Sequence, residues 1–99
     1  MIIPTLTEKH KQQLRKLAHT LRPVVIVGDA GLSENVLKEI EGALIFHELI
    51  KIKLRANDRA ARALLITSLL EITTAQAVQN IGHVLVIYRP GPKNKIQLV

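Results

Sequence analysis

The side chains able to do chemistry are four histidines, eight carboxylates and fourteen lysines and arginines, with no cysteine. The lack of cysteine removes thiolate nucleophiles, disulfides, thiolate zinc sites and iron–sulfur ligation. His10, His19, His47 and His83 show no paired spacing for a metal. His47-Glu48 begins like the HExxH zinc motif, but position 51 is lysine and the motif fails. Helical periodicity puts His47 on the inner face of its helix, as a hydrogen-bonded and mostly buried side chain. Gly31-Leu32-Ser33-Glu34-Asn35 misses the closing glycine of a nucleophile elbow, and Ser68 has no such context. Ser33 and Asp58 read as helix caps. With no acid–base pair and no metal constellation, the residues predict no enzyme, no cofactor and no small-molecule substrate.

Gly28-Asp29-Ala30-Gly31 follows a β-branched run and precedes a helix capped by Ser33. Such a turn can present backbone N–H groups to a phosphate, with the helix dipole assisting. Small residues also let a nucleic-acid backbone approach closely, as in the GXXG loop of KH domains. An ordinary strand–helix turn, in which glycine supplies positive φ, fits the same residues. No third glycine makes it a dinucleotide fingerprint, and no Gly-Lys-Ser/Thr makes it a P-loop. Asp29 has two readings: a carboxylate that complements the turn and helix dipole, or one that faces an anionic partner and repels it.

Net charge is +6 and the pI about 10.1, which suggests an anionic partner. Residues 1–48 carry six basic and six acidic side chains, and residues 49–99 carry eight basic and two acidic. Lys51, Lys53 and Arg55 alternate with Ile50, Ile52 and Leu54, so the basic set shares one strand face. Lys11, Arg15 and Arg22 fall within about 40° on a helical wheel. Each stripe is either a phosphate contact or a solvated face. Phe46 and Tyr88 are the two aromatics. So few rings argue against recognition of RNA by stacking platforms.

The elements that must position these groups follow from periodicity and punctuation. Thr7, or a capping box from Thr5 to Glu8, opens a helix carrying Leu14, Leu17, Ala18 and Leu21 inward. It ends near Arg22, before Pro23. Val24 to Val27 reads as a strand buried on both faces. A second helix has Val36, Leu37, Ile40, Ala43 and Leu44 inward, with Leu32 and Leu37 at staple spacing. Leu49 to Arg55 is a half-buried strand. After a break at Asn57-Asp58, Arg59 to Ile72 is a helix apolar over a broad arc and packed on the sheet. Ala75–Ile81 and Val84–Tyr88 are strands broken at Gly82, and Ile96–Val99 is a short final strand. The fold class is α/β, a single compact domain spanning residues 1–99 in the order α-β-α-β-α-β-β. Three helices accompany a four-stranded mixed sheet. The helical connections favour strands one, two and three as parallel neighbours. A chain of this length buries roughly two-thirds of its unfolded surface and needs no staple. Apolar runs are far short of a membrane span, and Met1-Ile2-Ile3-Pro4 is no signal peptide. A cytoplasmic monomer with no membrane partner is expected.

Several separated motifs then agree in order and spacing. Leu17-Ala18-His19, Pro23-Val24-Val25-Ile26-Val27-Gly28, Gly31-Leu32, His47-Glu48-Leu49-Ile50-Lys51-Ile52-Lys53, Ile81-Gly82 and Leu85-Val86-Ile87-Tyr88-Arg89-Pro90 closely resemble the CRM domain, the chloroplast RNA splicing and ribosome maturation domain. The likeness covers about Leu6 to Leu98 and is to the stand-alone bacterial YhbY type. It implies a fold related to the C-terminal domain of translation initiation factor three. It also implies RNA binding through the loop Gly28, Asp29, Ala30 and Gly31 and a basic surface, and association with precursors of the large ribosomal subunit. The basic surface itself, Lys11, Arg15, Arg22, Lys51, Lys53 and Arg55, comes from the wheel and strand arithmetic. The alternative is a basic protein-interaction module that docks on an acidic protein without direct RNA contact.

Overall fold

The computed structural model describes residues 6–56 and 58–99. The readings of Met1–Pro4, Thr5 and Asn57 lie outside the described residues. The elements are α1 (Glu8–Ala18), β1 (Pro23–Val27), α2 (Glu34–His47), β2 (Leu49–Leu54), α3 (Arg59–Thr73), β3 (Gln76–Ile81) and β4 (Val84–Tyr88). Each helix starts where a side chain satisfies an orphan N–H. The Thr7 hydroxyl accepts from His10 N–H at 3.1 Å, and His10 Nδ1 accepts in return from Thr7 N–H at 3.4 Å. Ser33 Oγ accepts from Val36 N–H at 3.2 Å, and Asp58 Oδ1 from Ala61 N–H at 2.8 Å. Such caps contribute about 1 kcal/mol each.

The strand order is β1-β2-β4-β3. β1 and β2 are parallel, and β4 runs antiparallel to both β2 and β3. β2 and β3 are therefore parallel but not neighbours. The β3–β4 hairpin folds back and inserts its second strand between them, which corrects the expected pairing. One face of the sheet packs under α2 and α3. Val25, Val27, Ile50, Ile52, Leu54, Leu85 and Ile87 meet Ile40, Leu44 and Leu69 there, all buried. The opposite face has three rows. Leu49 and Tyr88 form the first, buried under Leu14 and Ala18 of α1. Lys51, Val86 and Gln79 form the second, at the margin of α1. Ile26, Lys53, Val84 and Ile81 form the third, which α1 does not reach.

That partial cover corrects the reading of β1 as buried on both sides. Val24 is 51% exposed and Ile26 50%, because α1 packs over β2 and β3 and leaves the β1 edge bare. α1 also ends earlier than expected, at Ala18. The Leu21 N–H bonds the Ala18 carbonyl at 3.0 Å and turns the chain toward Pro23, leaving Leu17 and Leu21 largely exposed. His47 is exposed, not inward, because it occupies the last turn of α2 where Phe46 also faces solvent. α3 buries Leu69 but leaves Leu64 71% exposed, so its apolar arc is wider than the sheet it covers.

The final strand does not form. Ile96 and Leu98 pack against the α1 layer as the alternation suggests, but the backbone of Gln97 and Val99 between and after them pairs with a side chain, not with a strand. Gln13 Nε2 donates to the Gln97 carbonyl at 2.7 Å, and Gln13 Oε1 accepts from Val99 N–H at 3.1 Å. The tail is also held by Glu48. This fully buried residue ends α2 with a φ of 67°, a left-handed conformation unfavourable to a side chain. Its carboxylate accepts from Lys95 N–H at 2.9 Å and Ile96 N–H at 3.1 Å.

Arg89 ties the α2–α3 layer to the end of β4. Its guanidinium donates to both Glu41 carboxylate oxygens, at 2.8 and 2.7 Å, and to the Thr73 carbonyl at 2.8 Å. Those donated bonds, more than charge alone, hold the Glu41 carboxyl below its ordinary value. Burial, helped by the Glu48 carboxylate, pushes the Tyr88 phenol up.

Candidate nucleic-acid interface

β2 places its basic residues by alternation. Ile50, Ile52 and Leu54 are buried on the α2–α3 side. Lys51 is half-buried and Lys53 and Arg55 exposed on the other side, as the sequence implies. Among the described residues, none of these three cations makes an ion pair, whereas Arg89, Arg15 and Lys38 each do.

Four segments converge where β1 and β2 end. The Arg55 N–H bonds the Val27 carbonyl at 2.9 Å, which sets Arg55 beside the Gly28–Gly31 turn. The β3–β4 turn meets them from the other side: the Leu54 N–H donates to the His83 carbonyl at 2.6 Å, and the His83 ring Nδ1 lies 3.1 Å from the Leu54 carbonyl. Arg62 Nη1 donates to the Gly82 carbonyl at 3.1 Å, so the first turn of α3 sits at the same end with Arg59. Arg59 and Arg62 were visible in the sequence as an arginine pair, three residues apart, in a first helical turn with no acid. They share no helix or strand face with the other cations, so periodicity does not single them out; their position at a helix end does.

The Gly28–Gly31 turn closes with the Gly31 N–H on the Gly28 carbonyl at 3.0 Å. Gly31 has a φ of 68°, so glycine is required there by conformation, and a Cβ at Gly28 would meet nothing within 4 Å. Asp29 and Ala30 are exposed. Among the described residues, the Asp29 carboxylate makes no hydrogen bond or ion pair, so it does not brace the turn.

The α1 stripe is assembled differently from the wheel. Arg15 is paired with Glu8 at 2.9 Å, and the hydrogen bond from Arg15 holds Glu8 below the usual carboxylate range. Lys11 lies half-buried beside them. Arg22 leaves the stripe because the helix has already ended. It is exposed in the loop before Pro23, the first residue of β1. Between α1 and the second row runs a groove of about 620 Å³. Its helical wall is Gln12, Arg15, Lys16 and His19, and its sheet wall is Lys51, Gln79 and Ile81. Lys16, His19, Gln12 and Gln79 were not anticipated. A bulge at Val78 shifts the pairing from Ala77–Ile87 to Gln79–Val86, which turns Gln79 and Ile81 toward the groove.

Of the remaining carboxylates, Asp58 caps α3 at the same end as Arg59, whereas Glu34 and Glu39 are on the exposed side of α2, Glu71 is on α3, Glu41 is spent on Arg89 and Glu48 is buried. Among the described residues, no group of three or more histidines and carboxylates could hold a metal ion. No helix among the described residues is long and apolar enough to cross a membrane.

A mixed sheet layered by two helices on one face and half-covered by a third on the other, with cations along the bare half, defines a small α/β binding domain. The chain belongs to the CRS1 / YhbY (CRM) domain family, whose profile matches residues 6–89. It is 53% identical over 94 residues to a Haemophilus influenzae protein named as RNA-binding, covering 95% of both chains. A probable RNA-binding protein of Pseudomonas aeruginosa is 43% identical, with 89% of this chain and 85% of that one covered. YqeI of Bacillus subtilis, also named as a probable RNA-binding protein, is 37% identical over 91% of this chain and 94% of its own. Among solved structures, the solution structure of a hypothetical protein from Staphylococcus aureus aligns with a TM-score of 0.82. It shares 40% identity and covers 96% of this chain and all of that one.

Proposed function

We propose that this protein binds structured RNA with the half of its sheet that α1 leaves bare, together with the GxxG turn at the end of β1. The observation that carries the reading is the row of unpaired cations Lys51, Lys53 and Arg55 on an open sheet face, with the exposed carboxylates Glu34 and Glu39 on the opposite layer. The relatives named as RNA-binding proteins support the same partner. Phosphates supply most of the affinity by displacing counterions, and the shape of the docked face supplies register. The protein carries the RNA as cargo and does no chemistry on it. By its resemblance to the YhbY type, the RNA is ribosomal and the setting is assembly of the large subunit in the cytoplasm, with the protein acting as a monomer.

The salt dependence of binding tests the mechanism. With about five phosphates contacted, log affinity falls against log salt with a slope of roughly −3.5 to −4.5. A slope near zero at measurable affinity refutes electrostatic docking. Sedimentation of tagged protein through a ribosome gradient tests the setting: co-migration with large-subunit precursors supports it, and migration only with free protein refutes it. Ultraviolet crosslinking in lysate separates RNA from an acidic protein partner, since an adaptor for such a protein leaves no crosslinked RNA.

A further inference from the structure

The groove between α1 and the sheet is more than a charged surface needs. Phosphate docking requires only exposed cations, yet this site has depth, an apolar floor and two amides. Its volume of about 620 Å³ lies within the range of about 300–1,000 Å³ of pockets that enclose small ligands. A second hollow of about 230 Å³ continues it over Val84 and Val86 of the interior strand β4. Ile81 lines both and is 65% exposed, so the floor presents bare aliphatic surface to water. The two walls bring in Gln12 from α1 and Gln79 from β3. A primary amide offers a donor and an acceptor in one plane, the pattern that pairs with the edge of a nucleobase. Lys16 and Lys51 stand around the opening with Arg15, whose guanidinium is also paired with Glu8, and among the described residues no carboxylate lines it.

We propose that this groove receives one unpaired nucleotide of a structured RNA. The base lies on the Val84–Ile81 floor with its edge toward Gln79 or Gln12, and the flanking phosphates rest on Arg15, Lys16 and Lys51. The proposal rests on the RNA-binding reading above and names the part of the RNA that the site engages. Three properties of the groove select this occupant. Three cations disfavour a purely apolar segment. The aliphatic floor is wasted on phosphate alone. A paired base in an A-form helix is held in the stack and cannot enter, whereas a bulged or looped base can. The face borrows the logic of single-strand recognition, with aliphatic side chains where aromatic rings more often stand.

The test compares two RNAs on the intact protein at one salt concentration, by fluorescence anisotropy: a fully paired duplex, and the same duplex with one bulged nucleotide. The bulged RNA is expected to bind about tenfold more tightly, the scale of a single base contact. The double variant Gln79→Ala with Ile81→Ser is expected to lose that preference while retaining the affinity for duplex, since both residues are on the surface of an edge strand. A 4-thiouridine placed at the bulge should crosslink to residues 12–19 or 79–86 of the unaltered protein, a result that does not depend on a variant folding. Equal binding of the two RNAs, or a bulge preference that survives the double variant, overturns this proposal and leaves the RNA-binding reading intact. Failure to bind either RNA overturns both.

Discussion

Replacing Arg89 by leucine removes three hydrogen bonds at once: two to Glu41 and one to the Thr73 carbonyl at the end of α3. The Arg89 side chain is 17% exposed, and Glu41 44%. The ion pair is therefore partly screened and worth less than a buried one, about 1–2 kcal/mol. The Thr73 carbonyl loses a charged donor in a partly buried setting, for about 1 kcal/mol more. The expected destabilisation is about 2–3 kcal/mol near neutral pH, which lowers Tm by roughly 10–20 °C in a domain this small. The pH dependence separates the two parts. Glu41 has its folded-state value depressed by Arg89, so its contribution is fully present above the ordinary carboxylate value and fades as pH falls through the lowered one. Urea unfolding followed by circular dichroism, at about pH 7 and about pH 3, should show the gap between the parent and Arg89→Leu shrinking toward the Thr73 part in acid. Glu41→Gln should lose about 1 kcal/mol near neutrality and show a flatter acid limb than the parent. An Arg89→Leu penalty equal at both pH values would refute the assignment of Arg89 to a carboxylate clamp.

Replacing Lys51, Lys53 and Arg55 together by glutamine should weaken RNA binding and make the salt slope shallower by roughly 2–3, with Tm nearly unchanged. A large fall in Tm would show that this face is structural. Because Asp29 is exposed and unbraced, Asp29→Asn should tighten RNA binding and Asp29→Lys more so, with a steeper salt slope for the lysine variant; unchanged affinity in both would remove the turn from the contact surface. Glu48→Ala should leave the Lys95 and Ile96 amides without their acceptor at a cost of about 1–3 kcal/mol, and limited trypsin digestion should then cut the tail at Lys93 or Lys95. A tail as resistant as the parent's would show that Ile96 and Leu98 hold it alone.

The parts of the fold legible in the sequence were those with a short-range cause. Ser33, Asp58 and Thr7 cap helices with atoms three residues away. The alternation of β2 identified both its core face and its basic face, because one side is buried along the whole strand. Features set by distant packing were not legible. Val24 and Ile26 look as burial-prone as Val25 and Val27, and only the placement of α1 over β2 and β3 leaves the first pair bare. Ile96 and Leu98 alternate like a strand, but Gln13 takes the place of a partner backbone. In the candidate site, Lys51, Lys53, Arg55 and the glycine turn could be found from periodicity. Gln79 could not, because a single bulged residue reverses the face that alternation assigns. Arg22 was grouped with Lys11 and Arg15 by a wheel that outran its helix.

The irregularities in β1 and β3 have a consequence for solubility. These are the two edge strands, and an edge with a straight row of free N–H and C=O groups is a template for another chain. Val24 and Val78 each interrupt the pairing register of one edge, which bends and twists the strand locally. Pro23 brings no N–H to the start of β1, and Gly82 follows the end of β3 in a turn. A domain whose bare sheet face carries Val24, Ile26 and Ile81 thus offers no flat strand along which copies of those residues could stack. Removing the extra residue of either bulge would straighten that edge and is expected to lower the concentration at which the protein stays clear of aggregates.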